Sequence, residues 1–292
     1  MREKRTGGRE LMMLVASMVI FGTIGIARRS IDLPSEVLAA ARGILGGTFL
    51  CLYLKVRGLR FQWESITKRN MLMLLLTGAM IGVNWILLFE AYNYTSVAVA
   101  TLCYYMQPVI VLLVSPVVLK EKLTAWKVCC ILTAIVGMIL VSGVTGNGST
   151  ANGSPKGVVL GLGAAALYAS VVILNKKIQG VPIYEKTIIQ LYAASVLMLP
   201  YLYLHGTLHA YPLAVSGAVM VLVTGIVHTG IAYAIYFGAV EKLPAQTSAL
   251  FSYIDPVTAV LLSALLLREP VGIAGWIGTV LIIGSAILSE LR

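Results

Sequence analysis

The sequence predicts an all-α integral membrane protein whose ten transmembrane helices form two inverted five-helix repeats around a central cavity. Three observations predict this fold class: the composition, ten apolar runs of membrane-spanning length, and an internal repeat. Of 292 residues, 59% are hydrophobic and 12% are charged, and the mean hydropathy is +0.90. Soluble domains carry ~25% charged residues, so this composition excludes a disordered chain and argues against a soluble globule.

The ten apolar runs, which we call spans 1 to 10, are each long enough to cross a bilayer as a helix. They cover residues 11–28, 35–55, 70–91, 95–119, 125–143, 157–175, 185–204, 213–238, 244–267 and 272–290. A helix rises 1.5 Å per residue, and a bilayer core is ~30 Å thick. Helices are expected because every backbone group must find its hydrogen-bond partner within the chain when water is absent.

The distribution of basic residues predicts the orientation. If the N-terminus is cytoplasmic, 17 of the 22 Lys and Arg residues fall on the cytoplasmic side, four fall on the other side, and Arg42 lies inside span 2. This bias follows the positive-inside rule and predicts a multi-pass protein of the cell inner (plasma) membrane with both termini in the cytoplasm. It also accounts for the net charge of +10 without a nucleic-acid partner.

The chain repeats itself with an offset of 148 residues from span 2 to span 10. The offset aligns Tyr105 with Tyr253, Pro108 with Pro256, and Lys120-Glu121 with Arg268-Glu269. We interpret Glu121 and Glu269 as anchors at helix ends. The predicted organisation is a first repeat at 1–144, an extracytoplasmic linker at 145–156 and a second repeat at 157–292. Because each repeat has five spans, an odd number, the second must be inverted, as in alternating-access transporters with a site near the midplane.

Several segments carry a family resemblance: Asn84-Trp85, EAYNYTSVAVATLCYYMQPV (90–109), LKEKLT (119–124), GMILV (137–141), SYIDPV (252–257) and LLREP (266–270). With them the sequence resembles the EamA branch of the drug/metabolite transporter superfamily across all ten spans. The resemblance implies export of small metabolites, amino acids among them. It also implies a cavity lined by spans 1, 3, 4, 6, 8 and 9, with spans 5 and 10 at the periphery. The sequence departs from the commonest pattern at Gln107, whose counterpart in the second repeat is the acid Asp255.

Polar and aromatic residues inside the spans are the candidates for substrate binding. They are Asn84, Trp85, Tyr105, Gln107, Tyr168, Tyr233, Tyr253 and Asp255. Aromatic side chains with a polar tip suit a pocket for an amphipathic organic solute, although ordinary helix packing is the alternative for each. The repeat relates residue 85 to 233 and residue 105 to 253, so inversion is expected to place each pair across the centre.

Asp255, Glu90, Arg42 and His228 are the candidates for coupling or gating. A charged Asp near the midplane costs ~2.5–3.5 kcal/mol, so Asp255 needs a reason: proton exchange, a salt bridge with Arg42, or a structural role. Glu90 and Arg42 are expected to pair, as a structural salt bridge or as an outer gate. His228 is either a hydrogen-bonded packing residue or a proton relay.

These features favour a secondary transporter, most simply an exporter of small organic metabolites. A membrane channel and an intramembrane enzyme are the alternatives, the first distinguished by non-saturating flux and the second by a chemical product. The sequence predicts no enzymatic activity, cofactor or metal. The expected partners are a small-molecule substrate, the lipid bilayer and protons as a candidate coupling ion, with the protein a monomer or a homodimer.

Overall fold

The computed structural model describes residues 3–28, 30–95, 97–141, 154–266 and 272–290. Eight helices are long and apolar enough to span a membrane: α1 (Gly7–Arg28), α2 (Ser35–Val56), α3 (Lys68–Tyr94), α4 (Val99–Val118), α6 (Pro155–Lys177), α7 (Ile183–Leu204), α8 (Val215–Lys242) and α9 (Ala245–Leu266). Two shorter apolar helices, α5 (Ala125–Leu140) and α10 (Ile273–Ser289), complete the ten. Their ends differ from those of the predicted spans by no more than four residues. Most of the predicted linker and both Arg268 and Glu269 lie outside the described residues.

Four of the helices are interrupted along their length. The break in α4 is at Tyr105 and Met106, and the break in α9 is at Ser252 and Tyr253, which are equivalent places in the two repeats. Each break precedes a proline, Pro108 or Pro256, which lacks the backbone N–H that a continuous helix would use. Helix α1 breaks at Thr23, and α8 contains a π-helical turn over Ile226–Ile231.

The packing of the helices is reciprocal between the two repeats. Helix α3 packs on α6 as α8 packs on α1, and α4 packs on α6 as α9 packs on α1. Helix α3 packs on α7 as α8 packs on α2. Three helices of the first repeat pack directly on their own counterparts in the second: α2 on α7, α4 on α9 and α5 on α10. These pairs are those that a two-fold axis between inverted repeats would generate. The structure therefore confirms the predicted fold class.

Glycines allow the closest helix contacts. On α2, a Cβ added at Gly46 would lie 2.8 Å from the backbone nitrogen of Gly230 on α8. On α3, a Cβ at Gly78 would lie 2.6 Å from the Cβ of Ala193 on α7. Since both distances are shorter than real Cβ contacts, the backbones at these crossings approach as closely as they do because the residues are glycine.

Candidate functional site

A cavity of about 650 Å³ lies between the two repeats. Residues of α1, α3, α4, α6, α8 and α9 line it, the six helices that the family resemblance implied. Helix α2 also contributes, through Ser35, Leu38 and Arg42, which the resemblance did not imply. Because both repeats supply lining residues, a relative movement of the repeats would change the shape of this space and its access.

Aromatic side chains form much of the cavity wall. They are Phe21, Trp85, Phe89, Tyr92, Tyr104, Tyr105, Tyr168, Tyr233 and Tyr236. The rings touch one another: the centroids of Tyr168 and Tyr236 are 6.4 Å apart in a stacked arrangement, and Tyr104 lies 6.1 Å from Tyr168. Such a wall offers apolar faces for the body of a solute and hydroxyl groups for its polar atoms.

Asp255 lies directly beyond the break of α9 and lines the cavity. The hydroxyl of Tyr105 on α4 donates a hydrogen bond to its Oδ2 at 3.1 Å. The hydroxyl of Tyr253 donates to the backbone oxygen of Tyr105 at 3.0 Å. The repeat-related tyrosines are therefore in direct contact across the α4–α9 interface, between the two repeats. Tyr253 itself is 1% exposed and is not part of the cavity lining. Trp85 and Tyr233, the other repeat-related pair, both line the cavity.

Gln107, the counterpart of Asp255, also lines the cavity but is only 5% exposed. Its Nε2 atom has no hydrogen-bond partner among the described residues. A buried donor without a partner costs ~1–3 kcal/mol, so a solute acceptor or a water molecule at this point would be stabilising. The two repeats thus present an amide on one side and a carboxylate on the other.

Arg42 is placed by α2 and by the π-helical turn of α8. Its Nε donates to Oγ1 of Thr229 at 3.0 Å, and that hydroxyl donates in turn to the backbone oxygen of Thr224 at 2.9 Å. Arg42 and Asp255 line the same cavity, yet they form no ion pair in the part of the chain that the structure describes. The salt bridge considered as one explanation for Asp255 is thus not present.

The predicted pair of Glu90 and Arg42 is also not formed, and this expectation was wrong. Glu90 accepts a hydrogen bond from the hydroxyl of Tyr201 on α7 at 2.6 Å, and Nε2 of His205 lies 3.6 Å from its Oε1. The physical reason is that α7 supplies nearer partners for the carboxylate, while Thr229 of α8 holds the guanidinium. The sequence placed Glu90 near the outer end of its span and Arg42 about a third of the way down from the same side, but it did not show which helix packs against each residue.

Two other predicted residues lie outside the cavity lining. Asn84 is fully buried and donates to the backbone oxygen of Ala164 at 2.6 Å, which ties α3 to α6. Nε2 of His228 lies 2.7 Å from Oγ1 of Thr23, at the break of α1. Both side chains are engaged in helix-to-helix contacts, and no described contact connects them to the cavity.

The two ends of the bundle differ, and we call the end that carries the N-terminus of α1 the N-terminal face. On this face Glu121, which follows α4, accepts hydrogen bonds from the backbone nitrogens of Ala245 and Gln246 at 2.7 and 3.3 Å. Two ion pairs lie on the same face, Lys186 with Glu241 at 2.7 Å and Lys242 with Glu10 at 3.4 Å. The amine of Lys176 also donates to the backbone oxygen of Leu243.

At the opposite face the cavity lining extends to the helix ends, to Arg28 and Ser35. The guanidinium of Arg28 is held by the backbone oxygens of Ile31 and Leu33. Polar contacts therefore join the repeats at the N-terminal face. At the opposite face Glu90 also joins the repeats, through Tyr201 and His205, and there the cavity lining extends to the helix ends. The role of Glu121 was signalled in the sequence only by the repeated basic-acidic pair at the ends of spans 4 and 9.

Comparison with known proteins agrees with this architecture. The profile of the EamA-like transporter family matches the chain twice, over residues 8–143 and 155–291. The uncharacterized transporter YxxF of Bacillus subtilis (strain 168) is 29% identical over 97% of this chain and 89% of its own length. The uncharacterized inner membrane transporter YicL of Salmonella typhimurium (strain LT2) is 23% identical over 96% of this chain and 94% of its own. A solved crystal structure that is 20% identical superposes with a TM-score of 0.84 over 97% of both chains, which supports the fold.

Proposed function

From the premise that the chain belongs to the EamA-like transporter family, we propose that it exports small organic metabolites, amino acids or related compounds among them, by alternating access. The observation that carries this proposal is the cavity of about 650 Å³ between the two inverted repeats, lined by both. Its volume and its aromatic walls suit a small amphipathic solute. Inverted repeats around a central site are the common architecture of secondary transporters.

The different contacts at the two faces support alternating access. Polar contacts at the N-terminal face join the repeats on one side of the cavity, and the lining runs to the helix ends on the other. The excess of basic residues in the loops supports a cytoplasmic N-terminal face, by the positive-inside rule. In this orientation the conformation is open outward and closed inward, and export requires the repeats to rock so that the closure moves to the outer face.

Asp255 is the proposed coupling residue. It lies about ten residues into α9, which at 1.5 Å per residue is ~15 Å from the membrane surface and close to the midplane. It belongs to the cavity lining and accepts a single described hydrogen bond, from Tyr105. A carboxyl group in this position can take up a proton on one side and release it on the other as the access changes.

The test begins with a thermal-shift screen of the purified full-length protein against a metabolite library. Compounds that raise the melting temperature are then offered, radiolabelled, to proteoliposomes containing the protein. The proposal predicts flux that saturates with solute concentration and that an opposing pH gradient drives uphill. Flux that rises linearly without saturation would indicate the channel alternative, and a chemically altered product would indicate the enzyme alternative.

A further inference from the structure

We infer that Arg42 is a specificity-determining residue that binds an anionic carboxylate group of the transported solute. This inference rests on the proposed function, because it names the chemical class of ligand for the same cavity. It goes beyond the aromatic lining and the coupling carboxylate by assigning one wall of the cavity to a charged group of the solute. The part of the guanidinium that has no protein partner is the part that can bind a ligand.

Only one of the three nitrogens of Arg42 has a described partner. Nε donates to Thr229, and the two Nη groups make no hydrogen bond to any residue that the structure describes. Arg42 is partly exposed and lines the cavity, so the Nη edge is the part of the guanidinium that remains for a ligand. The planar Nη fork matches the two oxygens of a carboxylate, which it can bind with two parallel hydrogen bonds.

Other charges do not neutralise Arg42. Among the described lining residues, the charged groups are Arg28, Arg42 and Asp255. Arg28 is engaged by backbone oxygens at the mouth, and Asp255 accepts from Tyr105 and does not pair with Arg42. A cationic group in a partly dehydrated cavity favours an anionic ligand, since burying an unpaired charge is costly.

The repeat provides an internal comparison. The counterpart of Arg42 in the second repeat is Gln190, which is fully buried and donates to Oγ1 of Thr77 at 2.6 Å and to Oδ1 of Asn175 at 2.9 Å. An uncharged amide can therefore join helices at this position, since both described bonds of Gln190 are made by Nε2, while its Oε1 has no partner among the described residues. The arginine places a charge in the cavity, and that charge is not needed for packing at the equivalent site.

The π-helical turn of α8 supports the same role. Thr229 lies within this turn and fixes the Nε edge of the guanidinium, so the Nη edge is held in one orientation. Single π-helical turns within α-helices occur often at functional sites. A side chain whose position is fixed before the ligand arrives loses less entropy on binding, which raises affinity.

The test uses a library of carboxylic acids, each paired with its primary amide of nearly the same shape, and measures binding to the purified full-length protein. Wild type is expected to be stabilised by acids and not by their amide twins. Arg42→Gln should weaken acid binding by about 100-fold or more, because the amide cannot form the two parallel hydrogen bonds of the charged fork. At 1.4 kcal/mol per tenfold change in Kd, this is a loss of about 2.8 kcal/mol. Arg42→Lys, which keeps the charge but not the fork, and Thr229→Val, which keeps the volume, should each give intermediate losses.

Arg60→Gln is the matched control, since it removes the same charge from an exposed position outside the cavity lining and should leave the preference for acid over amide unchanged. The inference is overturned if acids and amides stabilise the protein equally, if no acid binds, or if Arg42→Gln retains acid affinity. If Arg42→Gln fails to fold, the lysine and valine variants decide the matter. These are binding measurements, so they are independent of flux: solutes that bind through Arg42 but never cross the membrane would refute the transport proposal alone.

Discussion

At the scale of single residues, Asp255 connects the cavity to the proposed coupling. Replacing Asp255 by Asn keeps the side-chain shape and removes the proton exchange. We expect Asp255→Asn to bind solute with an affinity close to that of wild type and to lose uphill flux under a pH gradient, because a neutral amide carries no proton across. Flux and binding measured on the same proteoliposome preparation check this. Wild-type flux in the variant would make Asp255 structural.

Tyr105 offers a second test at this scale, because its hydroxyl is the described donor to Asp255. Tyr105→Phe removes that hydrogen bond, and bonds to charged groups contribute ~1.5–3 kcal/mol. The carboxylate form of Asp255 is then less stabilised, so we expect the pH at which flux is half-maximal to move upward. Tyr92→Phe is the control, since it removes a hydroxyl from the same cavity without touching the described contacts of Asp255. If flux in Tyr105→Phe has the same pH profile as in wild type, Tyr105 has no part in the proposed coupling.

The sequence predicted part of this site for clear physical reasons. Polar and aromatic residues are costly in lipid, so Trp85, Tyr233 and Asp255 could be selected by residue type alone. The partner of each residue could not be selected in this way. The position of Arg42 beside Thr229 depends on the packing of α2 against the π-helical turn of α8, and the position of Glu90 beside Tyr201 depends on α7. Such contacts join residues more than 100 positions apart, and neither periodicity nor hydropathy encodes them.

At the scale of elements, the contact between Glu121 and the start of α9 is a candidate inner closure. The carboxylate accepts from two backbone N–H groups at a helix N-terminus, where negative charge is favoured. We expect Glu121→Ala to loosen this end, so that a cysteine at the buried position Ser248 is labelled faster from the cytoplasmic side in a background lacking the four native cysteines. Glu64→Ala, at an exposed position, is the control. Equal labelling rates in the two variants would mean that Glu121 does not hold the closure.

Helix crossings give a stability prediction. A Cβ at Gly78 would lie 2.6 Å from Ala193 and 2.7 Å from the backbone oxygen of Gln190, so Gly78→Ala forces α3 away from α7. Overpacking of this kind costs ~1–3 kcal/mol, and we expect a lower melting temperature in detergent. A Cβ added at Gly163 on α6 would lie 3.4 Å from the flexible side chain of Leu87. Gly163→Ala should therefore leave the melting temperature unchanged or raise it. Equal effects of the two substitutions would show that close packing at Gly78 is not required.

The elements themselves were well predicted, because span length and hydropathy are set by the bilayer rather than by details of packing. The repeat offset relates the breaks that the structure shows in α4 and α9, since Tyr105 and Tyr253 with the following prolines stand at one register. The π-helical turn of α8 was not predicted. Its counterpart in α3 is a regular helix, so the repeat carries no sign of it, and it forms where α8 crosses the glycine-rich face of α2.

At the scale of the whole molecule, one cavity lies between two inverted repeats. Polar contacts join the repeats at the N-terminal face, and the cavity lining extends to the helix ends at the opposite face. In the proposed alternating access, the two halves would exchange roles, and the conformation with the opposite face closed would use equivalent contacts of the other repeat. Glu121 caps the start of α9 here, and its counterpart Glu269 lies outside the described residues. The asymmetry between Arg42 and Gln190, and between Asp255 and Gln107, shows that the halves share a fold but not a chemistry.

Orientation in the membrane decides whether the cavity faces outward, and it is open to direct measurement. Cysteines are introduced singly at Glu64, in the exposed connection between α2 and α3, and at Lys156, at the exposed start of α6, in the background lacking native cysteines. These positions lie at opposite faces of the bundle, and the excess of basic residues predicts that the first is cytoplasmic. In intact cells an impermeant thiol reagent should label Lys156→Cys and spare Glu64→Cys, and cell disruption should expose both. The reverse pattern in intact cells would show that the orientation is the opposite one. The same cavity would then be open to the cytoplasm and would receive its solute from there.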